Sequence, residues 1–216
     1  MKNILLLSSG LAYMKQFVGR EPASVKMIFI PTAGNPDDDV WWIDKDRDVL
    51  TKMGFVFTEL DIAGKDLQQL NGILDDVDLV YIAGGYTYYL LEQIRKSGFD
   101  EILRTFVERG GMYVGASAGA LIAGPDIEPC STLDDPSYGP TLQSSHGLDF
   151  VDFVPMPHYD MSERNERINS IIDKYKNRYQ IVPMSDDEAI IADGQAWEKV
   201  NSKRSELERK WFERFR

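Results

Sequence analysis

The chain has 216 residues, 43% of them hydrophobic and 27% charged, with a formal net charge of −11. That length and apolar content suit one domain over residues 1–216 with a sizeable core, and so negative a balance excludes attraction to nucleic acid or to an anionic membrane surface. The lone cysteine, Cys130, excludes an internal disulfide; with only two histidines besides, no metal site and no cofactor are expected.

In chain order, "MKNILLLSSG" carries one lysine and an apolar run too short for a signal-peptide core or a membrane span, so it is predicted to be a first strand of a cytoplasmic protein. Similar runs follow at 25–34, 54–62, 78–85 and 111–117, each apolar and each ending in small or turn residues, as buried parallel strands do. Between them, 38–53, 65–74 and 86–110 carry apolar residues three and four apart, the last interrupted at Ser97-Gly98. The three acids of "NPDDDVWW" (35–42) stand at a predicted helix start, where they complement the helix dipole rather than hold a metal. Alternating β and α segments predict an α/β fold: three layers, α/β/α, around a mostly parallel sheet that binds its ligand at the carboxyl ends of the strands. Residues 125–160 lack clear periodicity and are expected to be loop and short strands. In "SELERKWFERF", Leu207, Trp211 and Phe215 share one helical face, expected to pack against the domain.

The stretch "YVGASAGALIAG" (113–124) carries the chemistry. Ser117 stands between Gly115 and Gly119, where a predicted strand turns into a predicted helix, and that context makes G-x-S-x-G a candidate nucleophile elbow. A base is then required. His158, in "VPMPHYDMSER", sits at the end of an apolar run entering a loop; His146 lies in a polar turn and is the weaker candidate. The acid that orients the imidazole could come from Asp134, Asp135, Asp160, Asp186 or Asp187, all near turns. Gly84-Gly85 at the end of the preceding strand would let a backbone N–H approach a substrate oxygen, completing an oxyanion hole with Ala118.

Taken together, "AGGYT", "GASAGA", "PMPHYD", "SERNERI" and "SDDEAI" resemble the peptidase E (alpha-aspartyl dipeptidase) and cyanophycinase family of serine peptidases, built on a scaffold similar to class I glutamine amidotransferases. The resemblance implies Ser117 as nucleophile, His158 as base, and the N–H groups of Gly85 and Ala118 as oxyanion donors. It also implies that Arg164 meets the acidic side chain of an N-terminal aspartate, a task suited to a guanidinium fork. Three positions depart from the family pattern. Tyr86 replaces an asparagine in the substrate pocket, Thr132 falls where some members have the triad aspartate, and Asp186 stands where others have a glutamate. Asp186 is therefore the favoured acid, with Asp135 second. The implied function is hydrolysis of small peptides, Asp-Xaa dipeptides among them, through a Ser-His-acid triad. The competing readings are an inactive relative that binds a small acidic ligand, and an esterase-type hydrolase that shares the elbow.

Overall fold

The computed structural model of the chain describes residues 3–160, 162–193 and 196–214. The apolar runs expected as strands form β1 (Asn3–Leu7), β2 (Met27–Ile30), β3 (Phe57–Glu59), β4 (Leu79–Ile82) and β5 (Met112–Ala116). Further along, β6 (Val154–Met156) pairs in parallel with β7 (Ile181–Pro183) as a separate two-stranded sheet. Two more strands, β8 (Glu188–Asp193) and β9 (Ala196–Asn201), complete a seven-stranded main sheet in the order β3-β2-β4-β5-β1-β8-β9. Its first five strands are parallel; β8 and β9 run antiparallel to their neighbours.

Side chains alternate along each strand, so every central strand feeds two cores. Ile4 and Leu6 join one apolar cluster, whereas Leu5 and Leu7 join the other, and all four are fully buried. Burying each such side chain stabilises the fold by about 1.5–3 kcal/mol. Helices α1 (Met14–Val18) and α2 (Trp41–Lys52) cover the face of Leu5 and Leu7. The opposite face is covered by α3 (Leu67–Leu70), α4 (Thr87–Ser97), α5 (Phe99–Glu108), α6 (Ala118–Leu121) and α7 (Ser162–Tyr175). The chain then returns to the first face with α8 (Glu206–Arg214), which packs on α2. These are the three layers expected.

The break between α4 and α5 falls where it was expected, because Gly98 adopts a left-handed φ of 71° that ends α4. The helix expected over 65–74 is shorter. Asp66 and Gln69 form a reciprocal capping box that starts α3, but Gly72 takes φ 75° and turns the chain away after Leu70. The acids before α2 precede its first turn, and Asp39 accepts from the Trp41 N–H at 3.3 Å. Residues 125–160 hold short 3-10 turns, an isolated bridge between Asp126 and His146, and β6. Leu207 packs against the apolar cluster under α2, and Trp211 Nε1 donates to Asp48 Oδ2 at 3.3 Å, whereas Phe215 lies outside the described residues. No helix among the described residues is long and apolar enough to cross a membrane.

Candidate active site

β5 ends at Ala116 and α6 begins at Ala118, so Ser117 is the whole connection. It takes φ 49° and ψ −105°, a backbone state that costs on the order of 1–3 kcal/mol and persists only where neighbours enforce it. They do so here. The Ser117 N–H donates to the Leu7 carbonyl at 2.9 Å, and its own carbonyl accepts from Ala120 and Leu121 at 2.9 and 3.0 Å. Close packing requires glycine beside it, since a Cβ on Gly119 would lie 2.4 Å from the Ile82 carbonyl oxygen.

The strained turn holds the serine hydroxyl over the carboxyl end of the sheet. Ser117 Oγ is 2.9 Å from His158 Nε2, and His158 Nδ1 is 2.6 Å from Asp186 Oδ1. His158, in the loop after β6, has a left-handed φ of 64°. Its N–H donates to Ser8 Oγ at 2.8 Å, and that hydroxyl lies 3.2 Å from Asp186 Oδ1, to which it donates. Antiparallel pairing of β8 with β1 brings Asp186 to this edge, where its carbonyl accepts from the Gly10 N–H at 2.9 Å. Arg204 grips the other side of the carboxylate, donating from Nη1 to Asp186 Oδ2 at 3.0 Å. Burial alone would raise the Asp186 carboxyl. The His158 hydrogen bond and charge, the Arg204 charge and the Ser8 hydroxyl outweigh it and hold the group below the ordinary carboxylate range. An ionised Asp186 keeps the proton on Nδ1, which leaves Nε2 free to accept from the serine.

A second turn supplies donors. Gly85 has φ 146°, and a Cβ there would sit 2.3 Å from the Ala33 carbonyl oxygen, so only glycine fits. Trp42 Nε1 donates to the Gly84 carbonyl at 3.1 Å and fixes the turn against Ser117. Among the described residues, the N–H groups of Gly85 and Ala118 donate to no acceptor.

Between these turns opens a cavity of about 440 Å³ that straddles the carboxyl ends of the central strands. Trp41, Trp42, Lys45 and Phe212 line it from the α2 and α8 side; Leu121, Cys130, Leu133, Asp134 and Arg164 line it from the other. Lys45 is held at 2.9 Å from Asp46 Oδ1 and donates to the Ser9 carbonyl at 3.1 Å. Burial pushes the Cys130 thiol well up, which keeps it protonated and unreactive. Arg164 is half-buried, and its Nε has no hydrogen-bond partner among the described residues. Desolvation works against its charge, while the Asp186 and Asp134 carboxylates support it.

Of the other acids considered, none touches His158. Asp135 is exposed and accepts from the Ser137 N–H at 2.8 Å, capping a 3-10 turn, so this second candidate is spent on local structure. Asp160 and Asp187 accept from Arg204 at 3.2 and 3.0 Å. Asp134 Oδ2 accepts from the Thr87 N–H at 2.7 Å. His146 lies at the bridge to Asp126, away from the cavity wall. Tyr86 lines the cavity, its hydroxyl donating to Asp37 Oδ2 at 3.2 Å and its ring centroid 4.2 Å from that of Tyr138. Partial burial, then Tyr138 and the Asp37 carboxylate, push the phenol up to about 12. Sequence reasoning missed Ser8 and Arg204. Nothing in "NSKRS" marks Arg204, because its partners come from other loops.

Comparison with known proteins decides the lineage. The model of peptidase family S51 matches residues 4–200. The chain belongs to this family. Among S51-like relatives, the uncharacterized peptidase Lmo0363 of Listeria monocytogenes is 32% identical over 90% of this chain and 96% of its own. Peptidase E of Salmonella typhimurium is 31% identical over 67% of this chain and 58% of its own. A crystal structure of a candidate peptidase E protein from Listeria monocytogenes EGD-e superposes with a TM-score of 0.85 at 30% identity, covering 94% of this chain and 100% of the other. A peptidase from an acI-B1 Actinobacterium, 19% identical with a TM-score of 0.70 over 93% of this chain and 88% of its own, shares the fold. The chain is thus a serine peptidase of the S51 family, of the peptidase E type.

Proposed function

We propose that this S51 peptidase acts in the cytoplasm as a single domain, releasing an acidic residue from the N-terminus of small peptides. The reading rests above all on one observation: an unbroken hydrogen-bonded chain from Ser117 through His158 to Asp186, with Ser117 and His158 at the wall of a cavity that Gly85, whose N–H has no acceptor among the described residues, also lines. His158 takes the proton as Ser117 Oγ attacks the peptide carbonyl. The oxyanion forms against the Gly85 and Ala118 N–H groups. The imidazolium, steadied by Asp186, protonates the departing amine, and water activated by the same imidazole hydrolyses the acyl-enzyme. Asp186 replaces the glutamate of some members; Arg204 and Ser8 bracket its shorter side chain from both sides.

Arg164 supports the acidic preference, since a cation whose Nε lacks a partner gains most from a carboxylate that enters the cavity. A charge-assisted contact of that kind contributes about 1.5–3 kcal/mol. The test is a panel of dipeptides that vary in the first residue, hydrolysed by wild type and Arg164→Ala. The variant should lose about tenfold to a hundredfold in kcat/KM for Asp-Xaa substrates and little for neutral ones. If wild type cleaves neutral first residues as fast as aspartate, or the variant slows both alike, the acidic preference fails while the serine mechanism stands.

A further inference from the structure

We infer that the ring of Phe212, on the C-terminal helix α8, forms with Trp41 the wall that receives the side chain of the substrate's second residue, and so selects peptides whose leaving residue is apolar and bulky. This role depends on Ser117 being the nucleophile and on His158 protonating the departing amine, and it falls to a helix that follows the family-matched residues 4–200.

The catalytic residues fix where the second residue must lie. Its nitrogen departs with a proton from His158 Nε2, so the second residue begins beside that imidazole. Behind the imidazole stands Asp186, 2.6 Å from Nδ1, and behind Asp186 stands Arg204, 3.0 Å away. The Arg204 guanidinium carbon in turn lies 5.6 Å from the centroid of the Phe212 ring. Phe212 lines the cavity with Trp41 and Lys45, on the α2 and α8 side and away from Arg164. The helix that carries this ring is firmly held. Glu208, fully buried, accepts from the Leu11 N–H at 3.0 Å and from the Ser205 N–H at 2.6 Å, which pins α8 to the loop after β1.

What this wall offers a ligand is ring surface with its charges already matched. Phe212 and Trp41 meet edge to face, with centroids 5.2 Å apart and planes at 79°, and both are only half-buried. Lys45 Nζ lies 5.5 Å from the centroid of Phe212, but it donates to the Ser9 carbonyl at 3.1 Å and pairs with Asp46 at 2.9 Å. Arg204 spends Nε, Nη1 and Nη2 on Asp187, Asp186 and Asp160 at 3.0, 3.0 and 3.2 Å. An acidic second side chain would therefore find both cations of this wall engaged. An aliphatic or aromatic one would remove its own apolar surface and that of the two rings from water, and a glycine would leave the rings wet.

The experiment compares dipeptides that share one first residue, the one the wild type cleaves fastest, and end in Phe, Leu, Gly or Asp. Wild-type kcat/KM should be at least about tenfold higher for the Phe and Leu peptides than for the Gly and Asp peptides. Phe212→Ala should lose most of that preference by slowing the Phe and Leu peptides, with the Gly peptide changed little. Phe212→Leu, which keeps apolar bulk where the ring was, should retain part of it. A fluorophosphonate carries no second residue, so both variants should label at Ser117 as fast as the wild type does. Equal rates for Phe and Gly peptides in the wild type, a preference for the Asp peptide, or an equal loss on all four peptides in Phe212→Ala would overturn the inference. So would slowed labelling of both variants, which would mean that α8 acts only by supporting Arg204 and Asp186. Failure of the serine mechanism itself would instead appear as a wild-type Ser117 that takes no label.

Discussion

Ser117 and His158 could be read from the amino-acid sequence because each had few rivals. One serine stands in a G-x-S-x-G turn between strand and helix, and only two histidines exist. The acid had no such signature: five turn aspartates look alike along the chain, and only the family resemblance favoured Asp186. What separates them is three-dimensional. Asp135 caps its own turn, Asp160 and Asp187 serve Arg204, and Asp186 alone reaches the imidazole. Asp186→Asn should therefore lower kcat by about three to four orders of magnitude, since an amide favours the wrong imidazole tautomer. Asp135→Asn should stay near wild type. Steady-state hydrolysis of one dipeptide by the two variants checks this, and a reversal of their order would move the acid elsewhere.

At the scale of elements, the parallel strands were legible from short apolar runs that end in small residues, and the α4–α5 break from Ser97-Gly98. The shortened α3 was not, because the apolar spacing continues past a glycine that leaves the helix. Strand β9 is largely exposed and carries no apolar run, so nothing in its composition announced the antiparallel edge. That edge matters, since β8 delivers Asp186 and the segment after β9 delivers Arg204. The elbow between β5 and α6 depends on close backbone approach instead. Gly119→Ala puts a Cβ 2.4 Å from a backbone oxygen of β4, and relieving that clash should cost about 1–3 kcal/mol. Thermal unfolding should show a lowered Tm and steady-state assays a lowered kcat. A variant with wild-type Tm and turnover would mean that the elbow is looser than the packing implies.

For the whole molecule, the layers place the cavity at the carboxyl ends of the central strands, so a residue from either face can reach the reacting atoms. Across the molecule, partners hold several carboxylates in their charged form. Burial would raise Asp186, Asp187 and Glu92, but His158, Arg204 and Lys96 with their hydrogen bonds keep all three below the ordinary range. A carboxyl depressed in the folded chain contributes stability that is complete above its unfolded value, about 4, and lost as pH falls through the folded value. Stability at moderate salt, which screens the repulsion from a net charge of −11, should therefore stay level from pH 7 to about 5 and decline below about 4. Urea midpoints across that range test the sign. A midpoint that rises on acidification would show that charge repulsion, not these pairs, governs acid behaviour.

The central claim is that Ser117 is a nucleophile activated by His158, and a fluorophosphonate tests it most directly. The reagent forms a bond to an activated serine oxygen with loss of fluoride, and peptide mapping by mass spectrometry locates it. The account expects labelling at Ser117 in the wild type, and labelling slowed by orders of magnitude in a folded His158→Ala variant. Label on another residue, no label at all, or an unchanged rate without His158 would contradict it.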